Sequence, residues 1–126
     1  MSMRTPLSEV RGLGSAKSGT EHFWMQRVTA IANIPLVIFL VIFIVAHLGA
    51  SRAELVASIA NPFIAILLLL SFVSILWHMR LGLQVVIEDY VHGPAVKLAS
   101  LLANTFFTAA LGVAAFYAIL KMSFGL

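Results

Sequence analysis

The second apolar stretch of the chain reads PFIAILLLLSFVSILWHMRLGLQVVIEDYV from Pro62 to Val91. Residues 55–79 carry no ionisable side chain except His78, and this run is longer than the roughly 20 residues that a helix needs to cross a membrane. An ionisable group inside a membrane helix is costly to bury, so it generally has a function or a specific partner. The stretch therefore predicts a transmembrane helix with a polar site around its histidine.

Two further apolar runs flank this helix. Residues 28–51 contain no charged side chain apart from a histidine, and residues 98–120 contain none. The chain of 126 residues is 61% hydrophobic and 10% charged, with a mean hydropathy of +1.03, which is typical of membrane proteins. We predict an all-α membrane protein with an N-terminal segment at residues 1–20 and an anchor domain at residues 21–126. Its three transmembrane helices are expected at about 21–48, 62–91 and 95–121.

Capping residues support these helix ends. Thr20 is a candidate N-cap for the first helix. Asn61 followed by Pro62 is typical of a helix start. Gly93-Pro94 is interpreted as the end of the second helix.

Each predicted helix has one distinctive face. The polar side chains of the first helix recur every three or four residues, at His22, Gln26, Thr29 and Asn33. A similar line on the second helix holds Ser71, Ser74, His78, Gly82 and Asp89. The third helix has a line of small residues, at Ala103, Ala110, Ala114 and Ala118. Polar stripes in a membrane are expected to face protein or a cofactor, and small residues let helices pack closely. Gly82 leaves room for a flat macrocycle or for a close helix.

The distribution of positive charge predicts the orientation. Five lysines and arginines fall in or next to the N-terminal segment and the second loop, at Arg4, Arg11, Lys17, Arg27 and Lys97. The opposite side has two, Arg52 and Lys121. The positive-inside rule therefore predicts a cytoplasmic or matrix-facing N-terminus. Glu88, Asp89 and Tyr90 are expected on that same side.

The composition also limits the chemistry of the chain. It has no cysteine and no glycine-rich nucleotide loop, so thiolate-bound iron–sulfur clusters and FAD are expected only on partner subunits. The chain is expected to have no catalytic residues of its own and no nucleic-acid partner.

His78 is a candidate axial ligand of haem iron, because a neutral imidazole at membrane depth suits that role. His47 lies 20 residues after Arg27, and His78 lies 11 residues before Asp89. Measured from the same membrane edge, the two depths are roughly 30 and 16 Å, which is too different for one iron. If His78 binds haem, the second ligand therefore comes from another chain.

Other interpretations of these residues stay open. His78 is also suited to a hydrogen bond with Ser74 or a neighbouring helix, or to a proton relay. Arg80 either extends toward the boundary or, like Arg27, pairs with a haem propionate. The Asp89-Tyr90 pair is suited to donating hydrogen bonds and protons, or to an interfacial belt. A cofactor-free scaffold and a small transporter subunit remain alternatives, although no inverted repeat supports a transporter.

The pattern His78-x-Arg80-x-Gly82-x-Gln84-Val85-x-Ile87-Glu88-Asp89-Tyr90-Val91 resembles the second helix of the hydrophobic membrane anchor subunits of succinate dehydrogenase, respiratory complex II. Residues 4–7, 12–16 and 19–24 are similar to the alphaproteobacterial form. The resemblance covers most of the chain, and the third helix is its least specific part.

The resemblance implies a set of site residues. His78 matches the axial ligand of a haem b shared with a cytochrome b556 subunit. Arg27 and His22 match residues of the haem propionate region. Tyr90 matches the tyrosine that donates a hydrogen bond to a ubiquinone carbonyl, and Asp89 the acid beside it.

The resemblance also implies partners and a location. A flavoprotein subunit and an iron–sulfur subunit dock on the cytoplasmic face, oxidise succinate to fumarate and pass electrons to ubiquinone. The chain itself is then a membrane anchor without a succinate-oxidising site, in contact with lipid. A bacterial inner membrane is expected, with the mitochondrial inner membrane as the alternative. Fumarate reductases are built from similar parts, so the direction of the reaction is open.

Overall fold

The computed structural model describes residues 5–12, 14 and 18–126, and this part of the chain forms five helices. They are α1 (Pro6–Val10), α2 (Gly19–Ala46), α3 (Arg52–Ile59), α4 (Pro62–Tyr90) and α5 (Pro94–Ser123). The three long helices α2, α4 and α5 are each long and apolar enough to cross a membrane. The predicted all-α membrane fold with three transmembrane helices is therefore confirmed.

The predicted N-terminal orientation stays a prediction. Two of the cations on which it rests, Arg4 and Lys17, lie outside the described residues, as do Leu13, Ser15 and Ala16 of the N-terminal resemblance. The division at residue 20 also stays a prediction, although α2 begins at Gly19.

The start of α4 follows from its sequence. Asn61 is the N-cap, and its Oδ1 accepts a hydrogen bond of 2.9 Å from the backbone N–H of Phe63. Pro62 occupies the first helical position, where its missing N–H costs nothing. The Asn-Pro pair therefore begins the second transmembrane helix as predicted.

Two predicted capping assignments differ in the structure, although the helix ends concerned lie within two residues of the predicted ones. Gly93 has a φ of −73° and is the N-cap of α5, with Pro94 as its first residue, so the pair begins the third helix. The second helix ends earlier, at Tyr90. Thr20 is not the cap of α2, because the backbone N–H of His22 already donates to the carbonyl of Ser18 and places Thr20 inside the first turn.

The short helix α3 was not predicted, although its sequence signal was present. The backbone N–H of Ser51 donates to Glu54 Oε2 at 2.7 Å, and the N–H of Glu54 donates to Ser51 Oγ at 3.3 Å. This reciprocal pair is a capping box, for which Ser-x-x-Glu is the sequence signature. The box starts a helix in the connection between α2 and α4.

α4 is the central element, since it packs against both α2 and α5. α3 packs against α4 and α5, and the largest buried apolar cluster lies at this end of the molecule. Its members are Ile59, Ala65, Leu68 and Ile119. Most other large apolar side chains are exposed on the chain, as a helical protein in contact with lipid or partner chains requires.

The packing face of α5 differs from the prediction. Asn104, Thr108 and Ile119 are its buried residues, whereas the predicted line of Ala103, Ala110, Ala114 and Ala118 is exposed. Asn104 Nδ2 donates to the carbonyl of Arg80 at 3.0 Å. A polar anchor and Gly112, rather than the alanines, therefore bring α5 against α4; a Cβ at Gly112 would lie 3.6 Å from Leu76.

The capping box makes the stability of α3 depend on pH. The backbone N–H and then the hydroxyl of Ser51 donate to the Glu54 carboxylate, and they lower its pKa. Because the folded-state pKa is lowered, the cap is complete above the ordinary pKa of glutamate and is lost as the pH falls through the lowered value. We expect amide hydrogen exchange in α3, corrected for intrinsic rates, to accelerate on acidification.

The substitution Ser51→Ala should weaken this pH dependence without abolishing it, because the backbone N–H of residue 51 still donates to Glu54. It should also accelerate exchange at neutral pH by roughly fivefold, since an N-cap contributes about 1 kcal/mol. The start of α4 is the internal control, because the Asn61 cap has no titratable group. Exchange in α3 that is independent of pH in the unmodified chain would contradict the prediction.

Candidate functional site

A line of polar side chains joins α2 to α4 inside the membrane-spanning region. Thr29 Oγ1 lies 3.1 Å from His78 Nδ1, and Ser74 Oγ donates to Asn33 Oδ1 at 2.7 Å. We call the set the α2–α4 polar seam, and it comprises Gln26, Thr29, Asn33, Ser74, His78 and Gly82. Polar groups in hydrocarbon have no water to bond, so pairing across the helix interface satisfies them.

The hydrogen bonds of Thr29 determine the tautomer of His78. Thr29 Oγ1 lies 2.8 Å from the carbonyl oxygen of Met25, a distance that requires the threonine proton between the two oxygens. That hydroxyl has only one proton, so the imidazole supplies the proton of the 3.1 Å contact. In a neutral imidazole this arrangement places the proton on Nδ1 and leaves the lone pair on Nε2.

His78 lines a groove of about 430 Å³ on the outside of the α2–α4 pair. The groove brings together three residues predicted from the sequence, His22, Arg27 and His78. Gln26 also lines it. The guanidinium of Arg27 lies over the Phe23 ring, 5.1 Å from the ring centre. A cation and an imidazole therefore share one intramembrane groove, which we call the His78 groove.

Two buried atoms beside the groove are without a partner among the described residues. They are His22 Nε2 and Gln26 Oε1. Buried polar atoms are nearly always hydrogen-bonded in complete structures. The orphaned atoms therefore indicate that a further group or chain completes the site.

The donor set fits a haem better than a protein-bound metal ion. The described residues contain no cluster of three His, Cys, Asp or Glu side chains. One imidazole with a free Nε2 suits a single axial position of haem iron, and Arg27 suits a carboxylate of the macrocycle. That a second histidine ligand would come from another chain stays a prediction.

His47 has a structural role at the other end of α2. Its Nδ1 lies 2.7 Å from the carbonyl of Phe43, and its Nε2 lies 2.7 Å from Ser58 Oγ. Both nitrogens are therefore satisfied within the chain. His47 lies 18 residues after Thr29 on the same helix, which is about 27 Å of helix. It does not approach the His78 groove.

Gly82 and Arg80 lie outside the opening of the His78 groove. A Cβ at Gly82 would lie 3.8 Å from Gln26 Nε2, so the glycine adjoins α2. Arg80 instead lines an apolar groove of about 790 Å³ between α4 and α5. Of the two arginines considered for a propionate, only Arg27 therefore lines the groove with His78.

Asp89 and Tyr90 lie at the end of α4, where both are exposed; 76% of the Tyr90 surface is free. Neither residue lines the His78 groove. Two hydrogen bonds hold the neighbouring Glu88. Gln84 Nε2 donates to its carboxylate and Lys97 Nζ donates to its backbone carbonyl, each at 2.8 Å. The phenol and carboxylate thus project from an anchored helix end.

The sequence placed Thr29 and Gln26 on the polar face of the first helix but gave neither residue a role of its own. Their polar spacing on α2 was visible. Their pairing with His78 and Gly82 was not visible, because spacing alone does not show which residue of another helix a side chain meets.

These features define a multi-pass helical membrane protein with a polar site between two of its membrane-spanning helices. The family model described as succinate dehydrogenase/fumarate reductase transmembrane subunit matches residues 1–119. The chain therefore belongs to this family, as the sequence resemblance indicated.

Curated relatives carry the same family name. The succinate dehydrogenase hydrophobic membrane anchor subunit of Paracoccus denitrificans is 33% identical over 96% of this chain and 93% of its own length. The corresponding subunit of Rickettsia bellii is 35% identical over 70% of each chain. The succinate dehydrogenase membrane anchor subunit of Reclinomonas americana is 33% identical over 68% of this chain and 73% of its own. No solved structure matches the chain.

The interhelical bond between Asn33 and Ser74 should be measurable by a double-mutant cycle. We expect Asn33→Ala and Ser74→Ala to be coupled by about 0.6 kcal/mol, with an upper bound of about 1.7 kcal/mol, as for other hydrogen bonds between membrane helices. The measurement is reversible unfolding of the protein in mixed micelles. Strictly additive effects of the two substitutions would show that the bond does not hold α2 to α4.

Proposed function

We propose that this chain is the hydrophobic membrane anchor subunit of a succinate:ubiquinone oxidoreductase in a bacterial inner membrane. It holds a flavoprotein subunit and an iron–sulfur subunit at the membrane. It shares a haem b with a cytochrome b556 subunit and contributes to the site of ubiquinone reduction. The observation that carries the haem assignment is the His78 groove, which combines an imidazole, an arginine and unpartnered buried polar atoms.

The residues of the groove have distinct roles in this proposal. His78 binds iron through Nε2, because Nδ1 is committed to Thr29. Arg27 would neutralise a propionate, and His22 Nε2, which has no partner among the described residues, lies in the same region. When bound, haem b supplies a one-electron carrier within the membrane. The cytochrome b556 subunit would cover the groove and contribute the other histidine.

The proposed quinone site uses the exposed end of α4. Ubiquinone reduction consumes two electrons and two protons. The Tyr90 phenol donates a hydrogen bond to a quinone oxygen, and the Asp89 carboxylate orients donors or relays protons. Both side chains are exposed, which leaves them available to a quinone held against the iron–sulfur and cytochrome subunits. FAD and the iron–sulfur clusters stay on those partners.

A scaffold without a cofactor is the second candidate. The Thr29–His78 hydrogen bond favours it, because one imidazole nitrogen is already satisfied by a neighbouring helix. The two functions differ in one observable. A purified complex that lacks a b-type absorption band after reduction with dithionite would establish the scaffold.

The substitution His78→Ala tests the haem ligand. We expect the purified complex to lose the b-type band or to change from a six-coordinate to a high-spin spectrum, because the Nε2 ligand is removed. The matched control is His92→Ala, since His92 is an exposed histidine beyond the end of α4. An unchanged low-spin spectrum in His78→Ala would assign the ligand elsewhere.

The substitution Tyr90→Phe tests the quinone site. Loss of one hydrogen bond to the quinone oxygen should lower ubiquinone reduction by about 5- to 10-fold. Succinate oxidation with an artificial dye should be unchanged, since the succinate site lies on another subunit. Tyr117→Phe is the matched control, because Tyr117 is also an exposed tyrosine but lies on α5. Equal rates of ubiquinone reduction in both variants would show that Tyr90 is only an interfacial residue.

A further inference from the structure

We propose that Thr29 is a positioning residue for the haem ligand: it fixes His78 as the Nδ1-protonated tautomer and strengthens electron donation from Nε2. The inference rests on the proposed function, in which His78 binds haem iron. It concerns a residue on a different helix from the ligand, 49 positions away in the sequence.

The geometry of the Thr29 hydroxyl favours accepting a hydrogen bond from the histidine. Its proton is used by the carbonyls of its own helix, at 2.8 Å to Met25 and 3.2 Å to Gln26. The remaining lone pair lies 3.1 Å from His78 Nδ1. Rotation of the hydroxyl proton toward His78 would leave two lone pairs in contact at 2.8 Å, which is unfavourable.

The burial of Thr29 keeps water from replacing this contact. Only 7% of its surface is exposed, whereas His78 is half-buried and lines the groove. In a low-dielectric site, the acceptor of the distal N–H fixes the orientation and raises the basicity of a metal-binding imidazole. A carboxylate commonly takes this position, and here a neutral hydroxyl does so at membrane depth.

The oxidised iron benefits most from a more basic imidazole. Removal of the Thr29 oxygen should therefore destabilise ferric haem relative to ferrous haem and raise the midpoint potential. Loss of such an outer partner typically changes metal affinity by 10- to 100-fold. A tenfold change in the relative affinity of the two oxidation states corresponds to about 59 mV for a one-electron couple.

The experiment uses the purified four-subunit complex with three substitutions. Thr29→Val removes the hydroxyl at nearly constant volume, and Thr29→Ser retains it. Ser74→Ala is the matched control, because it removes another interhelical hydroxyl of the same seam, one turn from His78, without touching the imidazole. The readouts are the haem midpoint potential and the quadrupole coupling of the remote imidazole nitrogen, measured by pulsed EPR.

We expect Thr29→Val to raise the potential and change the remote-nitrogen signal, while Thr29→Ser and Ser74→Ala stay close to the unmodified complex. If Thr29→Val does not assemble, Thr29→Ala serves in its place. Equal potentials in Thr29→Val and Thr29→Ser, or an equal shift in Ser74→Ala, would overturn the inference and assign Thr29 to packing alone.

If the proposed haem-binding function itself is wrong, the experiment gives a different result. In that case the unmodified complex lacks low-spin b haem, or His78→Ala retains it, whatever residue stands at position 29. A complex that binds haem through His78 but is insensitive to the Thr29 hydroxyl overturns the positioning role and leaves the haem assignment intact.

Discussion

The hydrogen bond between Thr29 and His78 is the contact on which the arrangement of this protein depends. A membrane interior offers no water, so a polar side chain there must find a partner in the protein. α2 and α4 meet this requirement by aligning their polar faces, with Asn33 and Ser74 one turn further along. The pairing places His78 Nδ1 against α2, while His78 also lines the groove.

The two intramembrane histidines show how differently this requirement is met. His47 is closed within the chain, because Phe43 and Ser58 engage both of its nitrogens. At His78 only Nδ1 is engaged, by Thr29. Its Nε2 has no partner among the described residues, and the side chain lines a groove. A histidine satisfied on both sides stabilises a helix connection. A histidine satisfied on one side is prepared for a ligand, which is why the proposed function assigns the haem to His78.

The length of α4 gives the chain two separate working regions. His78 and Tyr90 are 12 residues apart on one continuous helix, or about 18 Å. The inner region is polar and opens into the His78 groove on the outside of the α2–α4 pair, and the outer region is exposed at an end anchored by Lys97. This chain supplies the residues on only one side of each region. Under the proposed function, the partner subunits complete the haem site on one and the quinone site on the other.

The sequence by itself determined the three spans and the start of α4, because hydrophobic run length and capping chemistry are local properties. The family resemblance, rather than spacing, placed His22, Arg27 and His78 in one region. It also contained the capping box of α3, Ser51 and Glu54, but the long apolar runs did not predict this short helix. Only the tertiary structure decided that Thr29 meets His78, that Gly82 faces Gln26, and that α5 packs through Asn104 and Thr108 rather than its alanines. Periodicity tells which residues share a face, but the rotation and depth at which two faces meet depend on packing between distant parts of the chain.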